Sequence, residues 1–312
     1  MAWTRKHLLT MRELEPGEIQ VLVDTAASLQ EIATRDIKKV PALRGKTIVN
    51  LFYEASTRTR TSFEIAGKWL SADVINFSAS GSSIAKGESF LDTARNIEAM
   101  SPDVVVVRHA SPGAAQLLAR ELGCSIVNAG DGAHEHPTQA VLDLLTIRER
   151  KGHFDGLHAA IVGDISHSRV ARSNIHVMRK LGMTVTVAGP PTLMPPFVQE
   201  LGVKVSHRLE DAIRDVDVIM MLRLQQERMT DGLIPSLREY SRYWGLTLDK
   251  LRAHARPDVL IMHPGPVNRG IELAPEVADG PFSVILEQVR KGVAVRMGVL
   301  LLLAGSKGGD GA

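Results

Sequence analysis

Nine short runs of β-branched and aliphatic residues punctuate the chain: Thr47–Phe52, Val74–Phe77, Val104–Val107, Ser125–Val127, Ala159–Val162, Thr184–Val187, Val203–Val205, Val216–Met221 and Val259–Met262. Most are apolar at successive rather than alternate positions, the pattern of strands buried on both faces. Longer segments between them carry apolar residues three or four apart, as at Phe63, Ala66 and Trp69. Strands alternating with helices predict parallel sheets, because each crossover must return over a face of the sheet. The predicted fold class is α/β, with two domains, each a mainly parallel sheet flanked by helices.

A helix predicted after Pro137 runs through Val141, Leu142, Leu144, Leu145 and Ile147 and ends in a charged stretch closed by Gly152. A boundary there gives a first domain over 1–151 and a second over 152–286. A last apolar helix over about 287–305 is expected to pack back on the first domain, and the glycine-rich 306–312 reads as a loose tail. Gln225–Leu246 breaks the alternation: it is too irregular for one helix and long for a connection, so a lid and a packed excursion both fit.

The length of 312 residues agrees with two domains, and 44% hydrophobic against 23% charged residues supports a sizeable core in each. Lys and Arg total 37 against 35 for Asp and Glu, so charge gives no reason to expect a nucleic-acid or membrane partner. Arg is about twice as common as Lys, and its forked donors suit phosphate and carboxylate. The single cysteine, Cys124, excludes an internal disulfide or a cysteine-rich zinc cluster and fits a cytoplasmic location. No signal-peptide core follows Met1, and the longest apolar run, Met297–Gly305, is about half a membrane span.

The unusual polar residues collect after the predicted strands, where parallel sheets bind ligands. After Thr47–Phe52 comes Ser56-Thr57-Arg58-Thr59-Arg60 at a helix start, where a serine cap, hydroxyls, backbone N–H groups and an arginine fork would make an anion cradle. Plain capping is the bland alternative, but arginines at a helix N-terminus are unfavourable unless an anion is present. Ser82 and Lys86 stand in a loop without Walker spacing and alone suggest only a solvated lysine. Arg108-His109 ends the third run. His136 and Gln139 flank Pro137 at a helix start, and a metal held by His134 and His136 lacks a third ligand at suitable spacing. In the second half, Gly163-Asp164 precedes Arg169 without a GxGxxG pattern, Arg223 and Gln225 follow the eighth run, and His263-Pro264-Gly265-Pro266 follows the ninth, where prolines leave carbonyls free to accept from an amide. A phosphate cradle in one domain and carboxylate-suited arginines in the other, with a cleft expected between them, point to transfer from a small acyl phosphate to an amine.

Taken together, Ser56-Thr57-Arg58-Thr59-Arg60, Lys86-Gly87-Glu88, Arg108-His109, His136-Pro137-Thr138-Gln139 and His263-Pro264-Gly265-Pro266 resemble the transcarbamoylase family, in order and over nearly the whole chain. Arg223-Leu224-Gln225-Gln226-Glu227-Arg228 resembles the aspartate-binding loop found in one branch of that family, and the Ser-Met-Gly segment and His-x-x-Pro cysteine of the ornithine branch are absent. The resemblance implies that carbamoyl phosphate is bound by Ser56, Thr57, Arg58, Thr59, Ser82, Arg108, His136, Gln139, Pro264 and Gly265. It implies aspartate held by Lys86, Arg169, Arg223 and Gln225, and catalysis by Arg58, Thr59, Lys86, Arg108 and His136 without metal or cofactor. Gly265 stands where some relatives have leucine, so only its carbonyl contact carries over. Ser82 and Lys86 would come from the neighbouring subunit of a homotrimer, and the resemblance allows a regulatory or dihydroorotase-like partner chain. Transfer to another amine such as ornithine, and a non-catalytic homologue acting as an assembly partner, are the other readings; retention of every polar position named above argues against the second.

Overall fold

The computed structural model describes residues 2–78, 88–229 and 232–305. Ser82, Lys86 and the 306–312 tail therefore lie outside the described residues. The chain divides into two units, one made of residues 1–142 together with those from 290 onward, the other of residues 143–289.

The first unit begins with α1 (Pro16–Leu29) and continues β1 (Thr47–Phe52), α2 (Thr57–Trp69), β2 (Asp73–Ser78), α3 (Phe90–Glu98), β3 (Val104–His109), α4 (Ala114–Glu121) and β4 (Ser125–Asp131), leading into α5 (Pro137–Lys151). Its four strands are all parallel, in the order β2-β1-β3-β4. Val104, Val105, Val106 and Val107 are 1% exposed or less, each burial worth about 1.5–3 kcal/mol, and they explain why the central strands read as unbroken apolar runs. β3 and β4 continue past those runs, through Arg108-His109 and through Asp131, because the polar residues at their ends are held by hydrogen bonds rather than left to water.

The second unit contains β5 (His158–Val162), α6 (Arg169–Lys180), β6 (Thr184–Ala188), β7 (Lys204–Ser206), α7 (Leu209–Ala212), β8 (Val218–Met221), α8 (Leu237–Trp244), α9 (Leu248–His254), β9 (Leu260–Met262) and α10 (Pro275–Ala278). Its five parallel strands take the order β7-β6-β5-β8-β9. The irregular stretch after Gln225 is packed at its far end, where α8 sends Tyr240 and Trp244 into the core formed by Ile219, Met221 and Leu246. The last helix, α11 (Ile285–Gly305), starts earlier than its apolar segment because Gln288 and Lys291 are buried despite being polar.

Residues 290–305 of α11 complete the first unit. Gly298 permits a close approach there: a Cβ at this position would lie 3.2 Å from the backbone nitrogen of Ala26 in α1. Ala294, Val295, Met297, Val299, Leu300 and Leu303 are buried from the same helix.

Candidate active site

The carboxyl ends of β1, β3 and β4 are neighbours in the first sheet, so the loops after them converge. Ser56 occupies the N-cap position of α2 with extended backbone, yet its hydroxyl makes no cap bond, contrary to the serine cap expected from the sequence. Its backbone carbonyl accepts from Arg60 N–H at 3.2 Å, which starts the helix without the side chain. The first-turn N–H groups are thus not taken up by that hydroxyl. Thr59 is buried in the first turn, whereas Thr57 and Arg58 are exposed.

Arg108, at the end of β3, is tied in two directions. Its Nη2 donates to Glu54 Oε1 at 2.8 Å and its Nη1 to the carbonyl of Ala129 at 3.3 Å, so the guanidinium spans from the β1–α2 loop to β4. The neighbouring His109 sits against the rings of Tyr53 and Phe90; burial lowers its pKa, and its Nδ1 accepts from Ser111 N–H at 2.9 Å.

The loop from β4 to α5 is fixed by Asp131. Its carboxylate accepts from Gly113 N–H at 2.7 Å, from Asn128 Nδ2 at 2.8 Å and from Glu135 N–H at 3.2 Å, and His134 Nδ1 lies 3.0 Å away. Burial acts to raise this carboxyl, but the bonds from His134, Asn128 and Gly113 outweigh it and hold the group below the usual carboxylate range. Glu135 faces the other way, accepting from Thr10 Oγ1 and from Met11 N–H. His136 and Gln139 follow as buried residues at the start of α5. His134 is thus committed to Asp131, and among the described residues no group of three or more His, Cys, Asp or Glu is arranged to hold a metal ion.

Beneath this half-site lies Arg296 of α11, buried, with its guanidinium 5.3 Å from the ring centroid of Phe63 in α2 and Nη1 donating to Gly292 carbonyl at 3.0 Å. Its Nε has no hydrogen-bond partner among the described residues. Burial first, and then the charges of Arg108 and Arg58, pull its pKa down to about 9. Glu54 and Arg296 were not singled out from the sequence. An acid two residues beyond a buried strand, and an arginine inside an otherwise apolar helix, are the signals that mark them.

In the second unit the ends of β5 and β8, adjacent strands, carry Arg169, Arg223 and Gln225. Ser168 caps α6 by accepting from Ala171 N–H at 3.2 Å, which leaves Arg169 in the first turn, largely buried. Arg223 Nη1 donates to Gln225 Oε1 at 3.5 Å. Asp164, fully buried, joins the two loops: it accepts from His167 N–H, lies 2.8 Å from His167 Nδ1, and accepts from Gln225 N–H at 3.4 Å. Arg228 Nη1 reaches the His167 carbonyl at 3.2 Å. Beyond β9, Pro264 and Gly265 are partly exposed, and Gly265 adopts φ 64°, a left-handed conformation natural to glycine. A cavity of about 630 Å³ between Pro190, Arg208, Ile234, Tyr243 and Trp244 contains none of these site residues.

The family model described as the carbamoyl-P binding domain of aspartate/ornithine carbamoyltransferase matches residues 6–149, and that described as the Asp/Orn binding domain matches residues 155–303. The aspartate carbamoyltransferase catalytic subunit of Syntrophus aciditrophicus is 62% identical over 306 residues, which cover 98% of this chain and 99% of that protein. The crystal structure of Trypanosoma cruzi aspartate transcarbamoylase with carbamoyl phosphate and aspartate superposes with a TM-score of 0.87 at 31% identity, covering 96% of this chain and 97% of that one. Ornithine carbamoyltransferase from Pyrococcus furiosus has the same TM-score of 0.87 at 29% identity, covering 98% and 99% of the two chains. The backbone alone thus does not separate the two acceptors.

Proposed function

The chain belongs to the aspartate/ornithine carbamoyltransferase family, and from that premise we propose that it transfers the carbamoyl group of carbamoyl phosphate to the α-amine of L-aspartate, giving N-carbamoyl-L-aspartate and phosphate. The observation that carries the choice of acceptor is the donor set at the ends of β5 and β8. Arg169, Arg223 and Gln225 suit the two carboxylates of aspartate, and Asp164, a fully buried acid beside them, is engaged by His167 and Gln225.

On this reading the phosphate of the donor is held by the first-turn N–H groups of α2, the hydroxyls of Ser56, Thr57 and Thr59, and the side chains of Arg58 and Arg108. Thr59, Arg108 and His136 donate to the carbamoyl oxygen. The carbamoyl amide donates to Gln139 and to the carbonyls of Pro264 and Gly265. The neutral α-amine forms a bond to the carbamoyl carbon, the carbonyl electron pair moves to oxygen, and collapse of the tetrahedral oxyanion breaks the bond to the phosphate oxygen. Each donor preorganised at that oxygen contributes about 3–4 kcal/mol in comparable sites. The departing phosphate takes the proton of the amine.

Ser82 and Lys86 belong, in the same proposal, to the site of a neighbouring subunit in a homotrimer, with Lys86 reaching both substrates. The product feeds pyrimidine biosynthesis in the cytoplasm. The test is a product assay with carbamoyl phosphate against a panel of amino acids: aspartate is expected to be turned over fastest, and faster turnover of ornithine overturns the proposal.

A further inference from the structure

The loop offering the Pro264 and Gly265 carbonyls is braced from behind by a buried pair. Gly265 N–H donates to His263 Nδ1 at 2.8 Å, which leaves the ring proton on Nε2, and Nε2 lies 3.3 Å from Glu272 Oε1. The same carboxylate oxygen accepts from Asn268 N–H at 2.6 Å, so it holds both ends of the turn that starts at His263. His263 N–H donates to Gln288 Oε1 at 3.0 Å, and Gln288 Nε2 donates to Asp143 Oδ1 at 2.7 Å. Glu272 is itself anchored, its carbonyl accepting from Leu246 N–H at 3.0 Å. His263 and Glu272 are shielded from solvent, and Glu272 Oε2 has no hydrogen-bond partner among the described residues. Stability alone does not favour a buried carboxylate with one bare oxygen; an apolar side chain of similar size would cost less.

We propose that Glu272, acting through His263, is a positioning residue that aims the Pro264 and Gly265 carbonyls and thereby sets the preference for a carbamoyl over a methyl acyl phosphate. This rests on the carbamoyl-transfer reading above. Acetyl phosphate carries a methyl group where carbamoyl phosphate carries NH2, so it leaves correctly aimed carbonyls unpaired, and misaimed carbonyls no longer tell the two apart. Inorganic phosphate, which has no acyl group, is indifferent to the brace.

The experiment is titration of carbamoyl phosphate, acetyl phosphate and inorganic phosphate on the intact protein, in the wild type, Glu272→Ala and Glu272→Gln. Glu272→Ala is expected to lower the carbamoyl-to-acetyl affinity ratio roughly three- to tenfold, the worth of one hydrogen bond, while phosphate affinity stays within about twofold. Glu272→Gln keeps an acceptor for His263 and should restore most of the ratio. If Glu272→Ala does not fold, His263→Asn, which keeps an acceptor for Gly265 N–H and drops the link to Glu272, is expected to show the same loss. An unchanged ratio in the folded variant, or an equal fall for all three ligands, overturns the proposal and leaves carbamoyl transfer standing. A wild type that makes no carbamoyl aspartate overturns both.

Discussion

Arg108 Nη2 and Glu54 Oε1 are 2.8 Å apart, an ion pair between side chains 54 positions distant in sequence that sets the guanidinium at the mouth of the first sheet. The acid orients the arginine and, on the proposed function, would compete with phosphate for it. Glu54→Gln should therefore tighten inhibition by inorganic phosphate while lowering turnover, each by about tenfold, since the orienting charge is lost where the oxyanion forms. Steady-state kinetics with phosphate as inhibitor check the split; weaker phosphate binding in the variant would show that orientation outweighs competition.

Arg296 is a buried guanidinium whose Nε has no hydrogen-bond partner among the described residues, a placement expected to cost the ligand-free protein stability. Burial and the neighbouring cations hold its guanidinium below the ordinary arginine range in the folded chain, so the unfolded chain binds that proton more tightly and the unfavourable contribution is present in full throughout the neutral range. Arg296→Met should raise the stability of the phosphate-free protein near neutral pH by roughly 1 kcal/mol or more, as when other buried charges yield to apolar groups. It should also shrink the stabilisation by phosphate. Thermal melts with and without phosphate measure both.

Asp131 carries the opposite sign. Its carboxyl is held below the usual range, so its contribution is present above the unfolded value of about 3.9 and is lost as pH falls through the folded one. Asp131→Ala strips partners from Gly113, Asn128 and Glu135 and should cost about 2–4 kcal/mol near neutral pH, less as the medium is acidified below about pH 4. Urea unfolding at several pH values follows the difference.

The shared-site proposal has its own check. Arg58→Ala and Lys86→Ala are each expected to be nearly inactive. In a mixed ring of three, whether two of one mutant or two of the other, one junction joins an intact Arg58 to an intact neighbouring Lys86. Dissociating and reassociating the mutants together should restore roughly a third of the sites in hybrid rings. No recovery despite proven subunit exchange would place Lys86 outside the neighbour's site.

The strands were legible because burial on both faces leaves an unbroken β-branched signature, as in Val104–Val107, that chance does not imitate. The positions of Arg108, His136, Arg169 and Gly265 at strand ends and helix starts followed from the same reading. What escaped it were partnerships made only by folding. Nothing local joins Glu54 to Arg108, Glu272 to His263, or Arg296 to Phe63, since each pair is brought together by elements that meet in three dimensions. The Ser56 hydroxyl illustrates a subtler limit: the motif fixed its place at the N-cap but not which group its oxygen would serve.

The first unit is interrupted in the chain, since it takes its last helix from residues that follow the whole of the second. A ribosome leaving residue 142 has about 150 codons still to translate before it reaches residue 290, roughly 7–30 s at rates of about 5–20 residues per second. Through that interval the nascent first unit lacks Met297, Leu300 and Leu303 and the close seat of Gly298 on Ala26, and its apolar face is open to chaperones. A premature stop anywhere in the final two dozen codons before Gly305 would thus be felt some 150 residues upstream, in the half of the protein that had been synthesised first.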